Sequence, residues 1–243
     1  MSGHSKWNNI KHKKEKSDAA KAKIFTKIGK EMAVAVKEGG PDPVSNSKLA
    51  ALIAKAKANN VPNDNIDRII KKASSSDSAD YEEIVYEGYG PCGVAVIVET
   101  ATDNRNRTAS DVRHYFDKFG GNLGTTGCVS FMFSEKGVIV IEADGKIDED
   151  KLMEDALEAG AADFATEEGA FEISTEPEDL NAVREALEAK GYVIASADTD
   201  KIPSSYVTLT GEDDIKNMTK LIDALDDNED VIEVYHNWEN SEE

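Results

Sequence analysis

The apolar residues of this chain repeat with the period of a helix as far as residue 73, and from "GVAVIVETA" at 93–101 the period turns strand-like, with a continuous apolar run of the buried-strand kind. Between the two regimes lies "SSSDSAD" at 74–80, a polar, Ser-rich stretch that reads as a linker. That change of period sets the fold class. A helical segment precedes the break and α/β segments follow it, so the chain is α+β with more than one domain.

Three helices are expected before the break. The first begins after Ser17 and stops at Gly39-Gly40. At 100° per residue Ile24, Phe25, Ile28, Met32, Ala35 and Val36 gather on one side of it. Lys16, Lys23, Lys27, Lys30 and Lys37 fall within an arc of about 80° on another, broken only by Val34 and missed by Lys21. The second helix covers about 46–59, with Leu49, Leu52, Ile53 and Ala56 inward. The third covers 63–73, with Ile66, Ile69 and Ile70 inward.

Beyond the linker, "GVAVIVETA", the helix "RTASDVRHYFDKFGG" and "CVSFMF" read as β-α-β, and "SYVTLTG", "EDDIKNMTKLIDALDD" and "VIEVYHNW" repeat that order. Between them, "GVIVIEA", a helix at 148–159, "ADFATEE", "AFEISTE", a helix at 178–190 and "GYVIASAD" give β-α-β-β-α-β, the ferredoxin-like order. The economical topology has three domains: a basic helical domain at 1–76, a middle ferredoxin-like domain at 78–135 plus 203–243, and an acidic ferredoxin-like domain at 136–202 inserted into it.

Charge divides along the same line. Residues 1–76 hold 15 Lys and one Arg against seven acidic residues, a balance of +9, while the remainder stands at −29. Asymmetry of that kind points to a polyanion at one end. The opening "GHSKWNNIKHKKEK" places Lys6, Lys11, His12, Lys13, Lys14 and Lys16 around Trp7, and aromatics among cations suit single-stranded nucleic acid or RNA. Trp7 and Ile10 could equally anchor the arm on an apolar surface. Lys23, Lys27 and Lys30 extend the same positive stripe. A second basic island occurs in "ETATDNRNRTASDVRHYFDKFGG". There Arg105 and Arg107 stand at a strand-to-helix turn that favours anions, and His114 and Lys118 share a helix face with Arg107. The alternative is that these arginines pair with neighbouring carboxylates.

Other chemistries lack a signature. "GGNLGTTG" follows a helix and has no Lys-Ser/Thr, so it is a helix stop and turn and not a phosphate loop. The four histidines have no metal spacing, and no nucleophile elbow, kinase or dinucleotide motif is present. Neither an enzyme activity nor a metal or cofactor is expected. Cys92 and Cys128 are read as small buried hydrophobes in or beside strands of a protein from a reducing compartment. No apolar run reaches membrane-spanning length, no secretory signal is seen, and a cytoplasmic monomer is the simplest expectation.

Seven stretches carry a resemblance: "GHSKWNNIKHKK", "DAAKAKIFTKIGKE", "GGPDPVSN", "AKANNVPNDNIDRIIKK", "YEGYGPCGVAVIVE", "TDNRNRTASDVRHYFDKFGGNLG" and "GCVSFMF". Together they resemble the YebC/PmpR family across most of residues 2–134. The chain departs from the family pattern at Ser47, Ala50, Cys92 and Cys128 and in its Ser-rich linker. The resemblance implies three domains, no catalysis and no cofactor. It further implies a role as a DNA-binding transcriptional regulator, with ribosomal RNA and translation as the alternative. The acidic domains would be free to meet the ribosome or other basic proteins.

Overall fold

A computed structural model describes residues 18–75, 79–167 and 169–239. In chain order the elements are α1 (Asp18–Gly39), α2 (Ser47–Ala58), α3 (Asn63–Ala73), β1 (Glu82–Tyr89), β2 (Ala95–Thr102), α4 (Arg105–Lys118), β3 (Asn122–Leu123), β4 (Phe133–Glu142), α5 (Glu149–Ala159), β5 (Asp163–Glu167), β6 (Ala170–Thr175), α6 (Leu180–Ala189), β7 (Ile194–Pro203), α7 (Glu212–Asp227) and β8 (Val231–His236). The fold is α+β, with seven helices and two antiparallel sheets among the described residues. Described residues up to Met132, together with those from Ser205 onward, form one compact unit. Phe133–Ser204 form the other.

The helical part forms where its pattern places it. Ile28, Met32, Ala35 and Val36 of α1 close on Leu49, Leu52 and Ala56 of α2 and Ile66 of α3, all buried. The bend from α1 to α2 turns on Asn46. Its Oδ1 accepts the Leu49 N–H at 3.0 Å and so caps α2, while its Nδ2 donates to the Ala35 carbonyl at 2.7 Å and the Gly40 carbonyl at 2.8 Å. One buried amide thus satisfies orphan groups at the end of one helix and the start of the next.

In the same unit a four-stranded sheet runs in the order β3-β1-β2-β8. α4 and α7 cover one face, with Val96, Val98, Val112, Phe116, Met218, Leu221, Leu225 and Trp238 in the core. β2 is almost wholly buried along its length, and α1 lies against β2 and β8.

Four details differ from the sequence reading. "EEIVYEGY" is a full strand, β1, paired with β2 from Glu82↔Thr102 to Tyr89↔Ala95. Acidic residues and a glycine interrupt its apolar pattern. "CVSFMF" is a strand only from Phe133, and Ser130–Met132 form a 3-10 turn. The Glu87 carboxylate takes the N–H groups of Gly127 (2.7 Å), Val129 (2.9 Å) and Ser130 (2.8 Å), which removes them from any ladder. "SYVTLTG" supplies one isolated bridge, Val207 to Trp238. Cys92 is exposed in a tight turn at φ 54°, not buried in a strand, and Cys128 is half-buried.

The second unit has the strand order β5-β6-β4-β7, all antiparallel, with the ferredoxin-like sequence β4-α5-β5-β6-α6-β7. Ile139, Ile141, Leu152, Ala156, Ile173, Val183 and Leu187 fill the space between sheet and helices. Buried Asp155 on α5 accepts from Lys190 Nζ and Tyr192 Oη, each at 2.7 Å, tying α5 to the end of α6. Burial and then the bond to Asp155 push the Tyr192 hydroxyl up to about 12.

Candidate nucleic-acid interface

The arm residues Lys6, Trp7, Lys11, His12, Lys13, Lys14 and Lys16 lie outside the described residues. The remaining candidates sit on α1 and α4, and most of them converge on one place.

The lysine face of α1 is not open to solvent throughout. Lys23 Nζ donates to Asp227 Oδ1 at 2.7 Å, and Lys27 Nζ donates to the Asp226 carbonyl at 2.9 Å. Lys30 Nζ donates to the Glu229 carbonyl at 2.9 Å and to Asp230 Oδ1 at 2.7 Å. Val34, which broke the lysine pattern, points the same way as these lysines and is only 2% exposed. The face read from sequence as a free cationic ridge is therefore a docking face. It meets the C-terminal end of α7 and the turn into β8. Lysine fits there because the last carbonyls of a helix lack intrahelical partners and carry the negative end of its dipole.

Asp230 is the centre of this contact. Its Oδ2 accepts from Arg107 Nη2 at 2.8 Å, Thr108 Oγ1 at 2.8 Å and Thr102 Oγ1 at 3.2 Å, while Oδ1 takes Lys30. Burial alone would raise the Asp230 carboxyl. Hydrogen bonds from Lys30, Arg107 and Thr108 outweigh it and hold the carboxyl down at about 2. One side chain thus joins α1, the end of β2, the first turn of α4 and the start of β8. Nothing in the sequence singles it out, because it is one of several acidic residues in "DALDDNEDV".

The second island resolves likewise. The Asn104 side chain caps α4 by accepting the Arg107 N–H at 3.1 Å. The Arg107 guanidinium also pairs with Asp103 at 3.0 Å, and Arg105 pairs with Glu82 at 3.4 Å. His114 and Lys118 are exposed on α4, the former beside the Tyr115 ring and the latter with its ammonium 5.2 Å from the centre of the Phe119 ring. Arg107, His114 and Lys118 do share a face, but Arg107 is already engaged. Elsewhere in the helical part Lys48 bridges Glu38 (3.1 Å) and Glu83 (2.9 Å), and Lys55 pairs with Glu31.

Among the described residues no group of three or more His, Cys, Asp and Glu side chains is arranged to hold a metal ion. No described helix is long and apolar enough to cross a membrane.

Comparison with known proteins bears on this arrangement. Residues 5–76 match the family model described as the TACO1/YebC protein N-terminal domain, and residues 81–238 match the TACO1/YebC second and third domain. A probable transcriptional regulatory protein of Acetivibrio thermocellus is 63% identical over 239 residues, covering 98% of this chain and 99% of the relative. One from Ruminiclostridium cellulolyticum is 61% identical over 244 residues, covering 100% and 98%. The crystal structure of a conserved hypothetical protein from Aquifex aeolicus superposes with a TM-score of 0.86 at 45% identity, covering 97% of both chains. This chain belongs to the TACO1/YebC family.

Proposed function

We propose that the protein is a non-enzymatic, cytoplasmic regulator of gene expression that binds nucleic acid through its N-terminal arm, as a DNA-binding transcriptional regulator. One observation carries the reading: Lys6, Lys11, Lys13, Lys14 and Lys16 crowd into the first 16 residues of a chain whose net charge is −20. A phosphate backbone is attracted to that segment and to the basic stretch that continues to residue 76, and is repelled by the remainder at −29, so binding is confined to one end. The relatives' description as probable transcriptional regulatory proteins supports a regulatory role. The paired lysines and arginines of α1 and α4 shift the weight of the contact onto the arm, with His114 and Lys118 as exposed auxiliaries. The acidic remainder is left to meet basic proteins.

A second reading, a translation factor bound to ribosomal RNA, is favoured by Trp7, whose ring among lysines suits unstacked bases. The test titrates the protein and its Lys11→Glu/Lys13→Glu/Lys14→Glu variant against duplex DNA and an RNA stem-loop at several salt concentrations. If the five lysines engage five phosphates of duplex, the log–log salt slope is about −4 to −5. Equal affinity of variant and parent for both ligands removes the arm and the reading with it. A Trp7→Ala loss confined to RNA selects the second reading.

A further inference from the structure

The contact between α1 and the acidic turn is graded along the helix. At its inner end Lys30 and Asp230 are nearly enclosed, with side chains 11% and 6% exposed. At its outer end Lys23 and Asp227 are 45% and 76% exposed. There Ala22, Lys23, Thr26 and Lys27 line a small cleft of about 130 Å³ with Asp227 and Glu229. The two ends differ in how easily they part. A buried pair resists separation because each partner would be left as an uncompensated charge. An exposed pair contributes little and is screened by salt.

The turn also has the chemistry of the ligand assigned to the arm. It offers Asp227 carboxylate oxygen to Lys23 and the Asp226 carbonyl to Lys27, at the negative end of the α7 dipole. Anionic and acceptor oxygens spaced along a lysine stripe are what a phosphate backbone presents. In sequence Lys16 stands two residues before the start of α1, so the lysines of the arm lead directly to those of the helix.

We propose that Lys23 and Lys27 are exchangeable phosphate contacts which the Asp226–Glu229 turn occupies in the free protein. Nucleic acid bound along the arm displaces the turn from these two lysines. Lys30, Arg107 and Asp230 stay joined and keep α1 in place. The turn thereby acts as an internal competitor that raises the threshold for polyanion binding and favours ligands long enough to reach past the arm. The inference rests on the arm binding nucleic acid, and it adds where that site ends and what holds it back.

The test compares Asp227→Asn with Asp223→Asn. Both residues are exposed on α7, and among the described residues only Asp227 of the two pairs with a lysine. Each variant removes the same charge, so a general electrostatic effect moves both equally. For a short duplex DNA, Asp227→Asn is expected to bind about threefold tighter at low salt, because its Lys23 reaches phosphate without first leaving a carboxylate. Asp223→Asn is expected to match the parent. Adding Lys23→Glu to Asp227→Asn should abolish the gain. Hydrogen exchange at 226–229 should rise when the parent binds DNA.

Equal shifts in the two aspartate variants, or no shift in either while the parent binds, overturn the inference and leave the proposed function standing. Failure of the parent and of both variants to bind either duplex DNA or an RNA stem-loop removes both.

Discussion

Lys30 on the first helix and Asp230 at the start of the last strand lie 200 residues apart in sequence and 2.7 Å apart in space. Their contact joins the helical part of the larger unit to its sheet. It is also the only place among the described residues where a carboxylate is shared by a lysine of α1 and an arginine of α4.

Removing the carboxylate should cost more than removing either cation. Asp230→Ala leaves Lys30 without a carboxylate and Arg107 with Asp103 alone, and it strips Thr102 and Thr108 of an acceptor. A loss of about 3–5 kcal/mol is expected, the range for breaking a buried pair from one side. Lys30→Met keeps the Arg107 bonds and should cost less. In urea titrations the two effects should be strongly non-additive in the double variant, because both changes remove the same contact.

The same carboxylate predicts an acid limb in the stability curve. Its folded pKa of about 2 lies below the ordinary aspartate value, so the folded state binds this proton less readily than the unfolded chain does. The resulting stabilisation, about 2 kcal/mol, is fully present above the ordinary value of about 3.9. It fades as pH falls from about 4 to about 2. Thermal melts of the parent and of Asp230→Asn should therefore converge over that window, and a constant gap between them down to pH 2 would contradict the assignment.

Much of the architecture is legible in the sequence. The helices declare themselves because Ile28, Met32, Leu49, Leu52, Val112 and Leu221 repeat at helical spacing and all end in cores. The second sheet is readable because each strand is a short run bounded by turn residues. What escapes is whatever depends on distant partners. β1 is obscured by Glu82, Glu83 and Glu87, whose polar side chains a strand in a four-stranded sheet can still carry. The lysine face of α1 looks solvated by composition alone. The one signal against that was Val34 in its middle, an apolar side chain buried because a sheet lies over that face. Asp230 could not be told from its acidic neighbours, since its partners lie 123 and 200 residues away.

Asn46 makes a sharp case for a residue whose two ends do different work. Asn46→Asp keeps the oxygen that caps α2 but replaces the donor to the Ala35 and Gly40 carbonyls with a second acceptor. Although aspartate is as good a cap as asparagine in general, this exchange should destabilise by about 1–3 kcal/mol. Asn46→Ala should cost at least as much. A neutral Asn46→Asp in chemical denaturation would show that the two carbonyls are satisfied in other ways.

Glu87 should organise the glycine-rich loop through charge as well as shape. It is 4% exposed, and three backbone N–H groups converge on its two oxygens. Burial would raise its pKa, but the N–H groups of Val129, Gly127 and Ser130 outweigh that and hold it below the usual glutamate value. Glu87→Gln is nearly isosteric, yet it must turn an NH2 group toward at least one of those donors. Two donors then face each other beside a buried side chain, at a cost of about 1–3 kcal/mol. The loss should be local: faster amide exchange at Gly127, Val129 and Ser130, with the β1–β2 ladder still protected. As pH falls through the Glu87 pKa, the parent should open the same amides, because protonation weakens the same bonds. Unchanged exchange at those three amides in Glu87→Gln would mean that the backbone of the loop, and not the carboxylate, holds its shape.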